Sequence, residues 1–430
     1  MVLFWHRRDL RIEDNAGLYK ALQLGAEVQP VFIFDTTILD ELPKKDQRVL
    51  FIHQEIGRLK KEYAHHGADL WVYHGKPEEV FQKMIKSLKV TCVVTNRDYE
   101  PYALERDKAV FELLQHENIE FLGAKDHVIF EKNEVLKDDG EPYKVFTPYA
   151  NKWKSLITPF YLKPYPVEKH IGNLRKTADI SPLFSLADMG FEDKQCVEFP
   201  HRKVKEEIIQ SYHTTRDIPS IKGTTRMSVH LRFGTISIRD LAQQAYKNEK
   251  YLNELIWRDF YQMIIYHFPH TISQSFKSQY DAIPWENNES HFKAWCQGKT
   301  GYPIVDAGMR ELNETGFMHN RVRMIVASFL TKHLLIDWRW GEAYFAEKLS
   351  DFELASNVGG WQWAASSGVD AQPYFRVFNP HSQQEKFDKE LKYIKKWVPE
   401  YGTKSYPQPI VEHKSARQKA IDTYKKALSD

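Results

Sequence analysis

The first 125 residues alternate between short apolar runs and longer stretches with helical periodicity. Four apolar runs predict buried parallel strands: Val2–Trp5, Val28–Phe34, Leu70–Tyr73 and Val90–Thr95. Between the second and third runs, Arg48–Tyr63 carries a mostly apolar stripe at helical spacing. Strand–helix–strand repetition predicts a doubly wound, Rossmann-like α/β domain with a parallel sheet. No G-x-G-x-x-G motif follows the first strand, so an ordinary dinucleotide site is not expected there.

The pattern changes twice further along the chain. Residues 126–200 are polar, rich in proline and without clear periodicity, as in a long interdomain connector. After them, helical periodicity recurs at Tyr251–Phe268, Asn320–His333 and Trp340–Leu349. The sequence therefore predicts an α/β domain at residues 1–125, a connector at 126–200 and an all-helical domain at 201–430.

Composition limits the class of protein. No apolar run approaches the roughly 20 residues that span a bilayer, and the apolar start of the chain precedes its charges, unlike a secretory signal. The three cysteines, Cys92, Cys196 and Cys296, are too few and too far apart for a disulfide framework or a metal site. These features predict a cytoplasmic protein without a membrane partner or a bound metal. The net charge of only +2 requires any nucleic-acid surface to be a local basic patch.

Two segments of the helical half have side chains suited to a polar ligand. Lys222–Ser237 places glycine and hydroxyl side chains ahead of an amphipathic stretch, as in a phosphate site, although for this segment alone a helix cap after a turn is the favoured interpretation. Glu254, Trp257, Arg258 and Tyr261 share one helix face. An exposed ion pair beside a half-buried tryptophan is the alternative interpretation of that face.

Two further segments are unusual for a purely structural role. In Gly316–Leu330, two arginines run into an apolar helix and need acidic or phosphate partners to be buried. In Leu349–Gly368, Asp351 and Glu353 are candidate partners, and Gly359-Gly360 permits a close backbone approach. Taken together, the four segments predict a site for a flat, polar, phosphorylated ligand.

Several longer motifs resemble the photolyase/cryptochrome family, and the resemblance runs nearly the length of the chain. The segments that carry it are WHRRDLRIEDN at 5–15, GYPIVDAGMRELNETGFMHNRVRM at 301–324, IDWRWGE at 336–342, NVGGWQWAASSG at 357–368, YFRVFNP at 374–380 and YPQPIVEHKSAR at 406–417. The chain is closest to the bacterial type that repairs cyclobutane pyrimidine dimers in DNA.

The resemblance implies that the helical domain binds FAD, which is reduced in the active form. The positions that match the family's FAD-binding residues are Tyr212, Thr224, Thr225, Arg226, Met227, Ser228, Arg258, Arg323, Asp351, Glu353 and Asn357. Asn357 faces the reactive nitrogen of the flavin ring in this comparison. Repair enzymes typically have asparagine there, whereas plant cryptochromes have aspartate and insect cryptochromes have cysteine.

The resemblance also implies the substrate and its contacts. The catalytic set would be Glu254, Asn357, Met324, Trp257 and Trp363, with both tryptophans clamping the flipped dimer. Damaged DNA would be held by Trp257, Asn320, Arg321, Arg376 and Gln383. Repair of (6-4) photoproducts is the runner-up, but enzymes of that type usually have two histidines where this chain has His319-Asn320.

Three tryptophans, Trp285, Trp338 and Trp361, match the family's electron-transfer chain, although each is equally suited to a plain core role. The segment Glu100–Asp107 lacks the Asn-Glu pair of folate-binding members. This segment is more similar to that of members that use a deazaflavin, another flavin or no antenna at all, so the resemblance disfavours folate and leaves the identity of any second, antenna chromophore unknown. A signalling cryptochrome and a DNA binder with a structural flavin are the remaining alternatives. The chain has no long tail after residues 412–430, which favours the enzyme, and we expect a monomer.

Overall fold

The computed structural model describes residues 1–25, 27–193 and 197–429, so Cys196 lies outside the described residues. The chain divides into two compact units, each assembled from three chain segments. The α/β unit comprises Met1–Glu131, Leu156–Lys203 and Arg226–Ala245; the helical unit comprises Lys132–Ser155, Val204–Thr225 and Tyr246–Asp430.

The α/β unit is built on a five-stranded parallel sheet in the order β3-β2-β1-β4-β5. Its strands are β1 (Val2–His6), β2 (Val28–Asp35), β3 (Trp71–Gly75), β4 (Cys92–Asn96) and β5 (Glu120–Ala124). In the central strand, Val2 pairs with Val28 on one side and with Cys92 on the other. The predicted doubly wound sheet is confirmed. The edge strand β5 was not predicted, because its five residues are at most half-buried and carry little apolar signal.

Alternate residues of β1 belong to two different cores. Val2 and Phe4 pack into one apolar cluster, and Leu3 and Trp5 pack into another. Side chains of successive strand residues point to opposite faces, so the sheet is covered on both sides. This explains why the predicted strands are continuous apolar runs instead of alternating patterns.

Nineteen α-helices are found in the described residues. In chain order they are α1 (Ala16–Gln23), α2 (Thr36–Leu39), α3 (Gln47–His65), α4 (Pro77–Ser87), α5 (Pro101–His116), α6 (Phe146–Leu156), α7 (Pro159–Leu162), α8 (Glu206–Thr215), α9 (Ser228–Phe233), α10 (Ile238–Ala245), α11 (Glu249–His267), α12 (Glu289–Cys296), α13 (Pro303–Thr315), α14 (Asn320–Ser328), α15 (Trp338–Lys348), α16 (Leu354–Ala365), α17 (Pro380–Phe387), α18 (Lys392–Trp397) and α19 (His413–Ala427).

The helical unit has its own core, formed mainly by α13 to α16 and α18. The predicted all-helical architecture is confirmed. The helix expected over Asn320–His333 is α14 followed by a π-helical turn at Phe329–His333. None of the described helices is both long enough and apolar enough to cross a membrane.

The compact units follow a different division from the three segments expected from the sequence. Residues 132–155 of the expected connector belong to the helical unit, and its remaining residues belong to the α/β unit. Residues 226–245 also return to the α/β unit, where Val229 and Phe233 of α9 enter the core that contains Val2. Burial of the apolar side of α9 therefore explains why residues 226–245 belong to the α/β unit. The polarity of the connector sequence gives no indication of this.

Candidate active site

One face of α11 carries the side chains that the sequence singled out. Asn248 caps the helix by accepting hydrogen bonds from the backbone N–H groups of Lys250 and Tyr251. Two turns of helix then place Glu254, Trp257 and Arg258 at spacings of three and four residues, so they lie on the same side. Glu254 and Trp257 are half-buried, and Arg258 is buried.

Glu254 is paired with an arginine that the sequence analysis did not select. Nη1 of Arg216, which follows α8, donates to Oε1 of Glu254. Burial raises the pKa of Glu254, and the Arg216 guanidinium acts in the opposite direction. A carboxyl group with a raised pKa keeps its proton to higher pH, so Glu254 is suited to donate a hydrogen bond to a ligand.

Asp217 connects this pair to the start of α14. Its Oδ1 accepts from Nη2 of Arg321 at 2.8 Å and lies 3.9 Å from Nε of Arg216. Nη1 of Arg321 in turn lies 3.5 Å from Sδ of Met324. A series of contacts through Arg216, Asp217 and Arg321 therefore links Glu254 to Met324. Arg216 and Asp217 were not predicted from the sequence, because none of the family motifs covers their segment.

The other arginine of α14 is directed towards a different carboxylate. Nε of Arg323 donates to the carbonyl oxygen of Met318 at 2.8 Å, and Nη2 donates to the two carboxylate oxygens of Asp351 at 3.1 and 2.9 Å. Asp351, one of the two candidate acidic partners, thus pairs with Arg323 in the structure. The side chain of Asp351 is only 5% exposed. The positive charge of Arg323 therefore offsets much of the free-energy cost of removing the carboxylate from water.

A second buried ion pair joins α11 to the start of α16. Nη2 of Arg258 donates to Oε1 of Glu353 at 2.9 Å, and the side chains are only 8% and 7% exposed. Glu353 is the N-cap residue of α16, and Asn357 lies one turn into that helix. Nδ2 of Asn357 donates to Oε1 of Glu342 at 2.8 Å, so its amide is oriented by a carboxyl group whose pKa burial raises. Glu342 was not selected from the sequence.

The two adjacent glycines of α16 have different roles. A Cβ on Gly359 would lie 2.3 Å from ring carbons of Tyr261, so that glycine is required by packing of the tyrosine on the helix. A Cβ on Gly360 would meet nothing within 4 Å. Of the expected glycine pair, only Gly360 leaves open space beside the helix.

His319, the N-cap residue of α14, has one ring nitrogen without an acceptor. Its Nδ1 accepts a hydrogen bond from the backbone N–H of Arg321, which assigns the ring proton to Nε2. Nε2 is buried and has no hydrogen-bond partner among the described residues. Burial lowers the pKa of His319 to about 4, so the ring is neutral at pH 7. An uncompensated buried N–H is costly and is expected to find a ligand acceptor.

The chain boundary between the two units falls inside Thr224–Ser228, whose residues are among those expected to bind FAD. Tyr212 is buried in the helical unit, and the Thr225 hydroxyl lies 2.9 Å from the Tyr251 hydroxyl; Thr224 precedes it. Arg226, Met227 and Ser228 begin the last segment of the α/β unit. Arg226 has φ 55°, a left-handed backbone conformation that is uncommon for a residue with a side chain.

The remaining predicted residues lie on several elements. Trp363 of α16 is half-buried, as are Trp285 and Gln383, whereas Arg376 is exposed between α16 and α17 and Asn320 is exposed at the first position of α14.

The ring of Trp285 meets that of Tyr424 edge-on at 5.9 Å. Trp361 is buried against Trp295, with ring centroids 6.0 Å apart. The Arg339 guanidinium lies 4.8 Å from the ring of buried Trp338.

Comparison with known proteins identifies the two halves of the chain. Residues 2–168 match the family model described as DNA photolyase, and residues 251–404 match that described as the FAD binding domain of DNA photolyase. A deoxyribodipyrimidine photo-lyase of Halobacterium salinarum is 37% identical over 100% of both chains. That of Escherichia coli is 36% identical over 99% of this chain and 98% of its own.

Solved structures agree with the sequence relatives. A class III photolyase from Agrobacterium tumefaciens superposes with a TM-score of 0.90 at 32% identity, covering 100% of this chain and 98% of that one. An archaeal photolyase from Sulfolobus tokodaii, solved with two FAD molecules, gives 0.85 at 36% identity over 99% of each chain. Full-length identity above 30% and two matching family models establish that the chain belongs to the DNA photolyase family.

Proposed function

We propose that this chain splits cyclobutane pyrimidine dimers in DNA, using blue light absorbed by FAD in the helical unit. The observation that carries the proposal is the connected set from Glu254 through Arg216, Asp217 and Arg321 to Met324. It combines two carboxyl groups, two cations and an apolar sulfur within one unit. A flipped dimer presents carbonyl oxygens, a flanking phosphate and an apolar ring to such a site.

The side chains of the helical unit fit a flavin dinucleotide. Arg258, Arg323 and Asn357 supply guanidinium and amide donors from α11, α14 and α16, which suit phosphate and ring-carbonyl oxygens. Gly360 leaves open space beside α16, and the buried Nε2 of His319 lacks an acceptor among the described residues. When bound, reduced FAD supplies on excitation the electron that splits the cyclobutane ring and takes it back afterwards.

The protein's own side chains orient the lesion and exclude water. We infer that Trp257 and Trp363 contact the apolar face of the flipped dimer and that Met324 packs beside it. Glu254, when protonated, donates a hydrogen bond to a pyrimidine carbonyl, which favours electron density on that oxygen. Asn320, Arg321, Arg376 and Gln383 hold the surrounding DNA strand, mainly through its phosphates.

Asn320 and Met324 favour cyclobutane dimers over (6-4) photoproducts, since enzymes for the latter usually have two histidines where this chain has His319-Asn320, and Met324 matches the cyclobutane-dimer enzymes. The relatives named above carry names of photolyases. A cryptochrome from Synechocystis also shares the fold, with a TM-score of 0.85, but at the lower identity of 25%. We therefore propose repair in preference to signalling.

The function is tested with photoreduced, FAD-loaded protein and a short oligonucleotide that contains one cyclobutane thymine dimer. Recovery of thymine absorbance under blue light, with none in the dark, is the expected result. An oligonucleotide with a (6-4) photoproduct is the control for lesion type. Failure to restore thymine from the dimer with reduced protein would refute the proposal, and repair of the control alone would assign the other lesion.

The raised pKa of Glu254 predicts a pH dependence of repair. Only the protonated carboxyl group donates a hydrogen bond, so the rate is expected to fall as pH rises through the Glu254 pKa. Glu254→Gln keeps a neutral donor and should flatten this limb of the profile. The measurement is the initial rate of dimer splitting at saturating oligonucleotide, from about pH 5 to pH 9. Equal profiles for both proteins would show that Glu254 does not act as the donor.

We further propose that Trp285, Trp338 and Trp361 carry electrons towards oxidised flavin. Trp361→Phe is expected to slow light-driven flavin reduction by more than about tenfold, because phenylalanine is harder to oxidise and each 1.4 kcal/mol of barrier costs tenfold in rate. Absorbance at the oxidised-flavin band measures this under blue light with an external reductant. Trp397→Phe, in the core of the same unit, is the control. Unchanged reduction in Trp361→Phe would exclude it as a carrier.

A second chromophore in the α/β unit, its identity unassigned, is supported by the Sulfolobus tokodaii photolyase, which was solved with two FAD molecules. We also propose that the protein acts as a monomer in the reducing cytoplasm. The small number of cysteines supports that compartment.

A further inference from the structure

Helix α6 packs on α11 through a row of aromatic side chains. Phe146, Tyr149 and Trp153 lie at spacings of three and four residues, on one side of α6. Phe146 stacks on the ring of Trp257, and the ring of Tyr149 lies 5.0 Å from that of Phe260. Nε1 of Trp153 donates a hydrogen bond to Oδ2 of Asp259 at 3.0 Å. This face of α6 therefore packs against α11, the helix that carries the predicted lesion contacts.

The contact at the N-terminal end of α6 is a parallel ring stack. The ring centroids of Phe146 and Trp257 are 3.8 Å apart, and the ring planes differ by 3°. The other rings near Trp257 meet it at an angle: Phe260 at 5.6 Å and 77°, and Tyr261 at 5.3 Å and 34°. Phe146 therefore stacks on one face of the indole. Because Trp257 is only half-buried, other parts of its surface remain accessible.

The position of Phe146 is itself fixed. Its side chain is 9% exposed and also meets the ring of Phe260 edge-on at 6.0 Å. Its backbone N–H, at the first position of α6, donates to Oδ2 of Asp370 at 3.2 Å. The preceding Val145 is exposed, so burial begins at the stacked ring. A fixed backing ring holds the indole plane in one orientation before any ligand arrives.

We propose that Phe146 is a positioning residue for the lesion contact of Trp257, holding the indole plane and leaving its opposite face for one base of the dimer. The inference deepens the proposed function and rests on it. An indole that is already oriented loses less rotational freedom when a base stacks on it, so binding is tighter for the same contact. The attraction between the stacked rings of Phe146 and Trp257 further stabilises this orientation of the indole.

The test replaces the flat ring while keeping most of its volume. Phe146→Leu is expected to weaken binding of the dimer-containing oligonucleotide by about 2- to 12-fold, the equivalent of 0.5–1.5 kcal/mol for an aromatic pair. Repair per absorbed photon at saturating oligonucleotide should be unchanged, because the reacting groups stay in place. Phe146→Tyr keeps the ring and should restore wild-type affinity. Fluorescence anisotropy of a labelled oligonucleotide gives the dissociation constants.

A double-mutant cycle distinguishes the proposed positioning role of Phe146 from a merely structural role. In a Trp257→Ala background, Phe146→Leu should have no further effect on dimer binding, because the indole that it positions is absent. The matched control is Phe292→Leu, which removes a stacked Phe–Trp contact with Trp295 elsewhere in the unit. Equal weakening by Phe146→Leu in both backgrounds, or by Phe292→Leu, would overturn the inference. If Trp257→Ala alone leaves dimer binding intact, the proposed lesion clamp fails instead.

Discussion

The affinity for an oligonucleotide with one cyclobutane thymine dimer is expected to fall about 5- to 150-fold when Trp257 is replaced by alanine. Base–aromatic stacking contributes about 1–3 kcal/mol per base, and the half-buried indole is placed to provide such a contact. Undamaged DNA has no flipped base to stack, so its weaker binding should change little. Competition between damaged and undamaged oligonucleotides measures both effects in one titration.

Trp257→Phe serves as the matched control for this substitution. It retains a flat apolar ring next to Phe146 and should lose only part of the affinity. Far-ultraviolet circular dichroism checks that each variant is folded. An alanine variant that is folded and still prefers the dimer as strongly as wild type would remove Trp257 from the lesion contact.

The free energy of unfolding of the helical unit is expected to fall by about 3–5 kcal/mol in Arg258→Met. The substitution removes the Arg258 guanidinium from the buried Glu353 carboxylate, and breaking a buried ion pair has this cost. Urea unfolding followed by tryptophan emission reports mainly on this unit, since every tryptophan except Trp5 and Trp71 belongs to it. FAD-depleted preparations are compared, because bound ligand stabilises the folded form by mass action.

The double variant Arg258→Met/Glu353→Gln distinguishes an unpaired charge from lost packing. With both charges removed, much of the stability should return, because no ionised group is left uncompensated. A double variant that is no more stable than Arg258→Met would show that the guanidinium acts through its packing. Equal stability of wild type and Arg258→Met would show that Glu353 is adequately solvated or paired without Arg258.

The architecture was predictable because the signals for it are local. Buried parallel strands leave continuous apolar runs such as Val28–Phe34, and amphipathic helices leave a stripe at helical spacing. Strand β5 escaped because its sequence contains only two adjacent large apolar residues, Phe121 and Leu122, which is too short a run to predict a strand. The division into units also escaped, since it depends on the burial of α9 side chains against residues some 200 positions earlier.

The candidate site was predictable where residues share one element. Glu254, Trp257 and Arg258 share a face because of their helical spacing alone, and Asp351 was a candidate acidic partner for the arginines of α14. Partners from distant segments were not predictable. Arg216 lies 38 residues before Glu254 and Phe146 lies on another helix, so only tertiary packing brings them to the site.

The interleaving of the two units sets an order of events during synthesis. Trp153 precedes its hydrogen-bond partner Asp259 by 106 residues, which corresponds to about 5–20 s of translation at typical rates. During that interval, α6 has emerged from the ribosome with an aromatic row that has nothing to cover it, and the intervening segments can already complete the α/β unit. The helical unit closes only after α11 arrives. A nascent chain stalled between these points is therefore a natural substrate for chaperones, and no single cut of the polypeptide separates the units intact.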